Sequence, residues 1–377
     1  MTHRERVLAS LDHKTPDRIP MDLGSTKVTS ATKAFYETLK DHFKVDSPTV
    51  IIDRMMQTVA IDEEILIELD IDTRGILPGP PDKPADRDLP DGRWIDEWGV
   101  TRRPSPNGYY YELQDGPITG DITLADVDSF PIPDASDEGR YRGLAEKARR
   151  LREETDYAIV GHAPGGWIHI SQYLRGFEGW YMDFATQPEV IVAVMKRARD
   201  ATLEMARRFL DEVGRYLDVV ATGDDIGAQT GLQISPAMFR EFIYPLQSEQ
   251  FAVFRSGTDA KIFYHTCGDV YSVIEDLIDE GVDILNPVQI TAGEMQDVER
   301  LKDRFGDRLS FWGGVDTMRV LPGQSEAEVR AEVDRRLDIL GRNGGYVLCP
   351  VHNVQPDVSV ENLLTLYDQG RNASVLS

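Results

Sequence analysis

From about residue 150 onward, short apolar runs alternate with amphipathic stretches, the pattern of a parallel α/β fold. The runs fall at 157–161, 217–221, 262–265, 282–286, 309–313 and 345–349, each of a length that suits a buried strand. The longest intervening helix is predicted at 188–213, where Ala201, Met205, Phe209 and Val213 recur at i, i+4 steps as one core-facing stripe. Helix boundaries carry their own signals. Ser235-Pro236 reads as an N-cap followed by an N1 proline, and Thr291-x-x-Glu294 and Ser325-x-x-Glu328 have capping-box spacing. Asp269 is expected to open a helix that Gly281 closes, and Gly370 to close the last one.

Two earlier runs, 19–23 and 69–72, bring the strand count to eight. Eight β/α units predict a (β/α)8 TIM barrel, with residues 1–377 forming a single domain. A doubly wound open sheet is the alternative, but no Gly-rich phosphate loop follows the first strand. Residues 78–135 interrupt the rhythm and are rich in Pro, Gly and Asp. They contain two β-like runs, 98–102 and 109–113, joined by the turn signal Ser105-Pro106-Asn107-Gly108. This segment is expected to be a small antiparallel β insertion between strands two and three, covering one end of the barrel.

Composition narrows the function classes. The 377 residues are 41% hydrophobic and 28% charged, and no stretch approaches the ~20 apolar residues of a membrane span. The opening Met1-Thr2-His3-Arg4-Glu5-Arg6 leads into a charged amphipathic segment unlike a signal peptide, so a cytoplasmic location is expected. The net charge of −24, from 41 basic and 65 acidic residues, argues against nucleic acid and anionic membranes as partners. It also disfavours a polyanionic substrate unless a local basic cluster overrides it.

The reactive groups of such a barrel gather at the C-terminal ends of its strands. Reading those ends in order gives Asp22 and Ser25, then His162 with Trp167, then Asp224, Asp225 and Gln229. His265 and Cys267 follow strand five, Asn286 and Gln289 strand six, Asp316 strand seven, and Cys349, His352 and Asn353 strand eight. The two cysteines of the chain, Cys267 and Cys349, both fall in this set. His265-Thr266-Cys267 sends an imidazole and a thiol to the same face of an extended chain. With Cys349 they form a candidate zinc site whose fourth position is open to Asp224, Asp225, water or substrate. The competing reading is two buried, inert cysteines. For His352 the expectation is a supporting or substrate-facing role, and Trp167 is expected to line a flat substrate pocket while Trp312 packs the barrel.

At these residues the chain resembles the uroporphyrinogen decarboxylase superfamily. The resemblance is carried by Arg4-Glu5-Arg6-Val7-Leu8 with Pro16-Asp17-Arg18-Ile19-Pro20, by Gly223-Asp224-Asp225-Ile226-Gly227 with Ile234-Ser235-Pro236, and by Phe311-Trp312-Gly313-Gly314-Val315-Asp316. It implies a TIM barrel with one of two chemistries. Metal-free decarboxylases hold a polycarboxylate tetrapyrrole with arginines near strand one, whereas Met21–Lys27 here has no arginine. The zinc-dependent corrinoid methyltransferase branch is similar in its H-x-C motif and later cysteine, which map onto His265, Cys267 and Cys349. It implies zinc and a corrinoid (cobalamin) carried by a partner protein, with a thiol, methoxy or methylamine compound as methyl donor or acceptor. Asp224 and Asp225 are then the expected catalytic carboxylates, and Asp22, Trp167, Gln229, Asn286, Asp316 and His352 the expected substrate contacts. A non-catalytic zinc-stabilised protein is a third reading, and the sequence leaves room for a homodimer.

Overall fold

Seven strands lie side by side and parallel, in the order Tyr346–Pro350, Ser310–Val315, Ile284–Asn286, Lys261–His265, Val219–Gly223, Ala158–His162 and Thr73–Ile76. The computed structural model describes residues 1–83 and 86–373. The segment around Met21 closes the ring. Met21 bridges in parallel to Leu348, Leu348 N donates to Pro20 O at 2.9 Å, and Asp72 N donates to Met21 O at 3.0 Å. The expected TIM barrel is therefore the fold. Among the described residues no helix is long and apolar enough to cross a membrane.

Strand alternation builds two hydrophobic layers. Val160, Val219, Ala221, Phe263, Ile284, Trp312 and Val347 point into the barrel, where Val7 and Leu11 of the helix His3–Leu11 join them. Ile159, Val220, Ile262, Leu285 and Leu348 point outward, in one cluster with Phe209, Phe251 and Leu366 of the surrounding helices. The predicted long helix is Pro188–Val213, Ser235 caps the helix that begins at Pro236, and Ser325 forms its capping box with Glu328.

Several expectations move. Strand two lies at Thr73–Ile76 and not at 69–72, because Leu69 caps a helix and Asp70 turns the chain at φ 57°. Asp72 spends its carboxylate on Arg6, Arg18 and the Met21 amide. Thr291 does not cap a helix: a short 3-10 turn, Gly293–Gln296, intervenes, and Asp297 caps the helix Val298–Phe305. Asp269 caps the 3-10 turn Tyr271–Val273 through Tyr271 N and also ties Glu294 N. Gly370 does not end the last helix, Val360–Asn372. Its role is close packing, since a Cβ there would lie 2.4 Å from Leu348 Cδ2 and 2.9 Å from Met21 Sδ.

Between the second and third barrel strands stands a four-stranded antiparallel sheet, Arg87–Asp88, Trp94–Ile95, Thr101–Pro104 and Tyr111–Asp115. Its last two strands start two to three residues later than the sequence pattern suggests. Asp96 explains the first shift, its Oδ1 accepting from Trp98 N and Val100 N to fold 96–100 into a turn through Gly99. The 105–110 turn explains the second, with Asn107 Oδ1 and Ser105 Oγ accepting from Tyr109 N and Tyr110 N.

Candidate metal centre

The strand Lys261–His265 buries Phe263 inside the barrel, and the alternation aims His265 the same way at the C-terminal rim. Gly223 on the adjacent strand makes room, because a Cβ there would lie 2.5 Å from that of His265. The His265 ring nitrogen Nδ1 meets Asn286 Oδ1 at 2.5 Å, and Asn286 Nδ2 donates to Trp312 O at 2.8 Å. Since the asparagine amide is spent as a donor, its oxygen accepts, so His265 carries its proton on Nδ1. This leaves the Nε2 lone pair free to bind a cation. Cys267 follows in the loop with Sγ 3.5 Å from His265 Nε2, and its amide donates to Asp225 Oδ1 at 2.7 Å.

The third member is His352. Ligand atoms of His265, Cys267 and His352 all lie within 4.8 Å of one another. Two imidazoles and one thiol at this spacing fit a zinc ion with an open position. Burial holds both imidazoles below their ordinary pKa, so they are neutral and able to ligate. Burial, reinforced by Asp225, pushes the Cys267 thiol well up, so a cation is what would make it a thiolate.

Cys349, expected as the third ligand, is not in this group. It packs in the barrel interior with Trp312 and Val347, its Sγ donates to Pro350 O at 3.2 Å, and burial pushes the thiol well above its ordinary range. The strand continues straight through Cys349 to Pro350, and only the loop beyond it swings a side chain over to His265.

Asp224 and Asp225 behave differently from each other. Asp224 is buried, and its Oδ1 accepts from His169 N at 2.9 Å near the start of the helix Trp167–Arg175. Burial pushes its carboxyl up to about 8, so at neutral pH it is largely protonated. Burial also opposes ionisation of Asp225, but His169, His265 and the Cys267 amide outweigh it and hold the carboxyl below its ordinary range. His169 lies between the two acids, 3.6 Å from each. The pair thus offers one proton donor and one anion side by side.

A cavity of about 530 Å³ opens over this centre. Its wall includes His162, His169, His265 and His352, four of the chain's seven histidines. Lys27, Asp53 and Tyr173 complete the barrel side, while Trp94, Asp96 and Arg102 come from the insertion. The expected substrate contacts fare unevenly. His352 lines the cavity, and Asn286 instead orients His265. Asp22 is buried in the barrel, accepting from Thr73 Oγ1 at 2.5 Å and Trp312 Nε1 at 3.0 Å. Trp167 is fully buried with Nε1 donating to Gln250. Gln229 ties loops by donating to Thr291 O, and Asp316 caps a turn through Met318 N and Arg319 N. None of these last four lines the cavity. His169 was readable as a second histidine seven positions after His162, but the insertion residues carried no such signal.

Replacing Asn286 by Ala should loosen His265 and weaken zinc binding by about 10- to 100-fold. Competition against a zinc-responsive chelator dye measures this directly, and unchanged affinity would mean that Asn286 does not set the ring.

Comparison with known proteins supplies the lineage. Residues 108–372 match the family model described as uroporphyrinogen decarboxylase (URO-D). A uroporphyrinogen decarboxylase of Pseudomonas aeruginosa is 23% identical over 67% of this chain and 69% of its own. The methylcobamide:CoM methyltransferase MtaA of Methanosarcina barkeri is likewise 23% identical, over 65% of this chain and 70% of its own. Among solved structures, a methyltransferase from Methanosarcina mazei superposes over 98% of both chains with a TM-score of 0.67 at 19% identity, which shows a shared fold. This chain belongs to the uroporphyrinogen decarboxylase family.

Proposed function

We propose that this chain is a zinc-dependent methyltransferase, moving a methyl group between a small substrate and the cobalt of a corrinoid carried by a partner protein. The observation that carries the reading is the convergence of His265, Cys267 and His352, two of which line one cavity, with Asn286 holding the His265 ring. The relative named as a methylcobamide:CoM methyltransferase adds to it. Zinc held there would supply Lewis acidity toward a substrate heteroatom and keep a thiol in its nucleophilic form. Asp225, ionised beside His265, balances the added positive charge. Asp224, protonated and next to His169, can lend a proton or a hydrogen bond to the substrate heteroatom. We further propose that residues 1–377 act as one cytoplasmic domain, with 78–135 as its insertion.

A decarboxylase reading needs free cations for several carboxylates. The cavity's arginines are engaged by acids: Arg54 with Asp86 and Asp88, Arg102 with Asp96, and Arg140 with Glu97. That engagement favours methyl transfer. The test mixes zinc-loaded protein with methylcob(III)alamin plus thiols, and separately with cob(I)alamin plus methoxyarenes or methylamines, while the cobalt spectrum is followed. A zinc-dependent spectral change in one panel is expected. Decarboxylation of uroporphyrinogen that survives chelation would overturn the reading.

A further inference from the structure

Gln289, in the loop after strand six, plays no part in the centre as described, yet it borders the loop that carries Cys267. The backbone donors of Cys267, Gly268 and Asp269 are taken up one after another by Asp225 Oδ1 at 2.7 Å, Gln289 Oε1 at 2.7 Å and Ala228 O at 2.8 Å. Asp269 has further ties, its carboxylate accepting from Tyr271 N and Glu294 N. Gly268 has no side chain to add. Among the described residues Gln289 Oε1 is the one acceptor its amide meets, so that peptide depends on a side chain from another strand's loop.

The loop has little else to wedge it. Gly268 has a φ of 87°, and a Cβ there would lie 2.5 Å from Gly227 C and 2.7 Å from Ala228 O. The Cys267 loop therefore meets the hairpin 227–232 backbone to backbone. Gln289 is itself braced: its Nε2 reaches Gln229 Oε1 at 3.5 Å, the outer limit of a hydrogen bond, while Gln229 O accepts from Gly293 N at 3.0 Å. The strong link is thus Gln289 to Gly268, and the brace from Gln229 adds less.

What this peptide sets is the thiol beside it. Cys267 Sγ lies 3.5 Å from His265 Nε2. Nitrogen and sulfur ligands on one tetrahedral zinc stand about 3.6 Å apart, so the loop presents the thiol at ligating distance. We infer that Gln289 is a positioning residue of the metal centre, which by holding the Gly268 amide fixes Cys267 Sγ opposite His265 Nε2. The inference rests on the proposed zinc site for what the thiol is positioned to bind.

Two measurements on the full chain test it, neither requiring turnover. In chelator-treated protein the rate of iodoacetamide labelling reads the freedom of Cys267, because Cys349 is fully buried, and Cys267→Ser confirms which thiol reacts. In cobalt(II)-loaded protein the thiolate-to-cobalt charge-transfer band and the cobalt affinity read the bond itself. Gln289→Met keeps the length of the side chain and removes its strong acceptor. It should label severalfold faster, shift the band and bind cobalt(II) about tenfold more weakly, the scale of losing an outer partner of a ligand. Gln289→Glu keeps the acceptor and should recover most of the affinity and the band. Gln229→Ala should move both readouts the same way but less far, and it decides by the same readouts if Gln289→Met does not fold. Unchanged labelling or an unchanged band in Gln289→Met, at whatever melting temperature, overturns the inference. So does a Gln289→Glu protein that behaves like Gln289→Met. Faster labelling in Gln289→Met while the wild type binds no cobalt would instead retract the zinc reading and leave the placement of Cys267 by Gln289 standing.

Discussion

Exchanging His352 for Gln should empty the metal centre as thoroughly as Cys267→Ser, whereas Cys349→Ser should keep about one equivalent of zinc. Loss of either proposed ligand leaves two, too few to hold the ion, and the proposed methyl transfer should fall by roughly a thousandfold or more. Cys349→Ser acts elsewhere. Its hydroxyl replaces a thiol that already donates to Pro350 O, in an otherwise apolar interior, so about 1–3 kcal/mol of stability is at stake and no metal. Elemental analysis of the three purified variants, with thermal melts alongside, separates the two roles. Full zinc in His352→Gln together with loss in Cys349→Ser would restore the ligand set read from the sequence.

The placement of Cys349 and His352 shows where sequence reading stops. The strands that deliver His265 and Cys267 announce themselves by alternating apolar residues, and their rim position follows from the barrel. Choosing between Cys349 and His352 needs the exact residue at which strand eight gives way to loop, and boundaries are what a pattern fixes least well. Asp22, Trp167 and Asp316 were placed correctly near strand ends, but whether a strand-end side chain faces the cavity, the barrel axis or a turn is decided by neighbours far away in the chain. Strand two escaped for a different reason. Its residues Thr73-Arg74-Gly75-Ile76 do not look apolar, and Gly75 is there because a Cβ would lie 2.5 Å from Ser25 O.

Asp72→Asn should be among the most destabilising single changes outside the metal centre. The Asp72 carboxylate is fully buried and accepts from Arg6 Nη1, Arg18 Nη1 and Met21 N, each at 2.7 Å, with His3 Nδ1 at 2.8 Å. It thereby fastens the closing segment at Met21 to strand two. The amide would leave two buried guanidiniums short of charge, a loss of about 3–5 kcal/mol read as a lower urea midpoint. Burial works against the Asp72 anion, but His3, Arg18 and the Met21 amide prevail and hold its carboxyl below the ordinary aspartate range. Its stabilisation is therefore complete above about pH 5 and is lost as pH falls through that depressed value. The wild type should lose stability more steeply than Asp72→Asn on acidification. Parallel acid sensitivity of the two proteins would show that Asp72 is not the seat of this dependence.

The arginines that meet the insertion have a consequence for how this scaffold diversifies. Arg102 pairs with Asp96 inside the insertion, but Arg54 and Arg140, outside it, pair with its Asp86, Asp88 and Glu97, so charge is shared across its boundary. The candidate metal ligands, by contrast, come from the end of the fifth strand and the loops after the fifth and eighth. A rewritten insertion must therefore keep acids opposite Arg54 and Arg140, or two cations are left bare at the barrel mouth, while the candidate ligands beneath need not change.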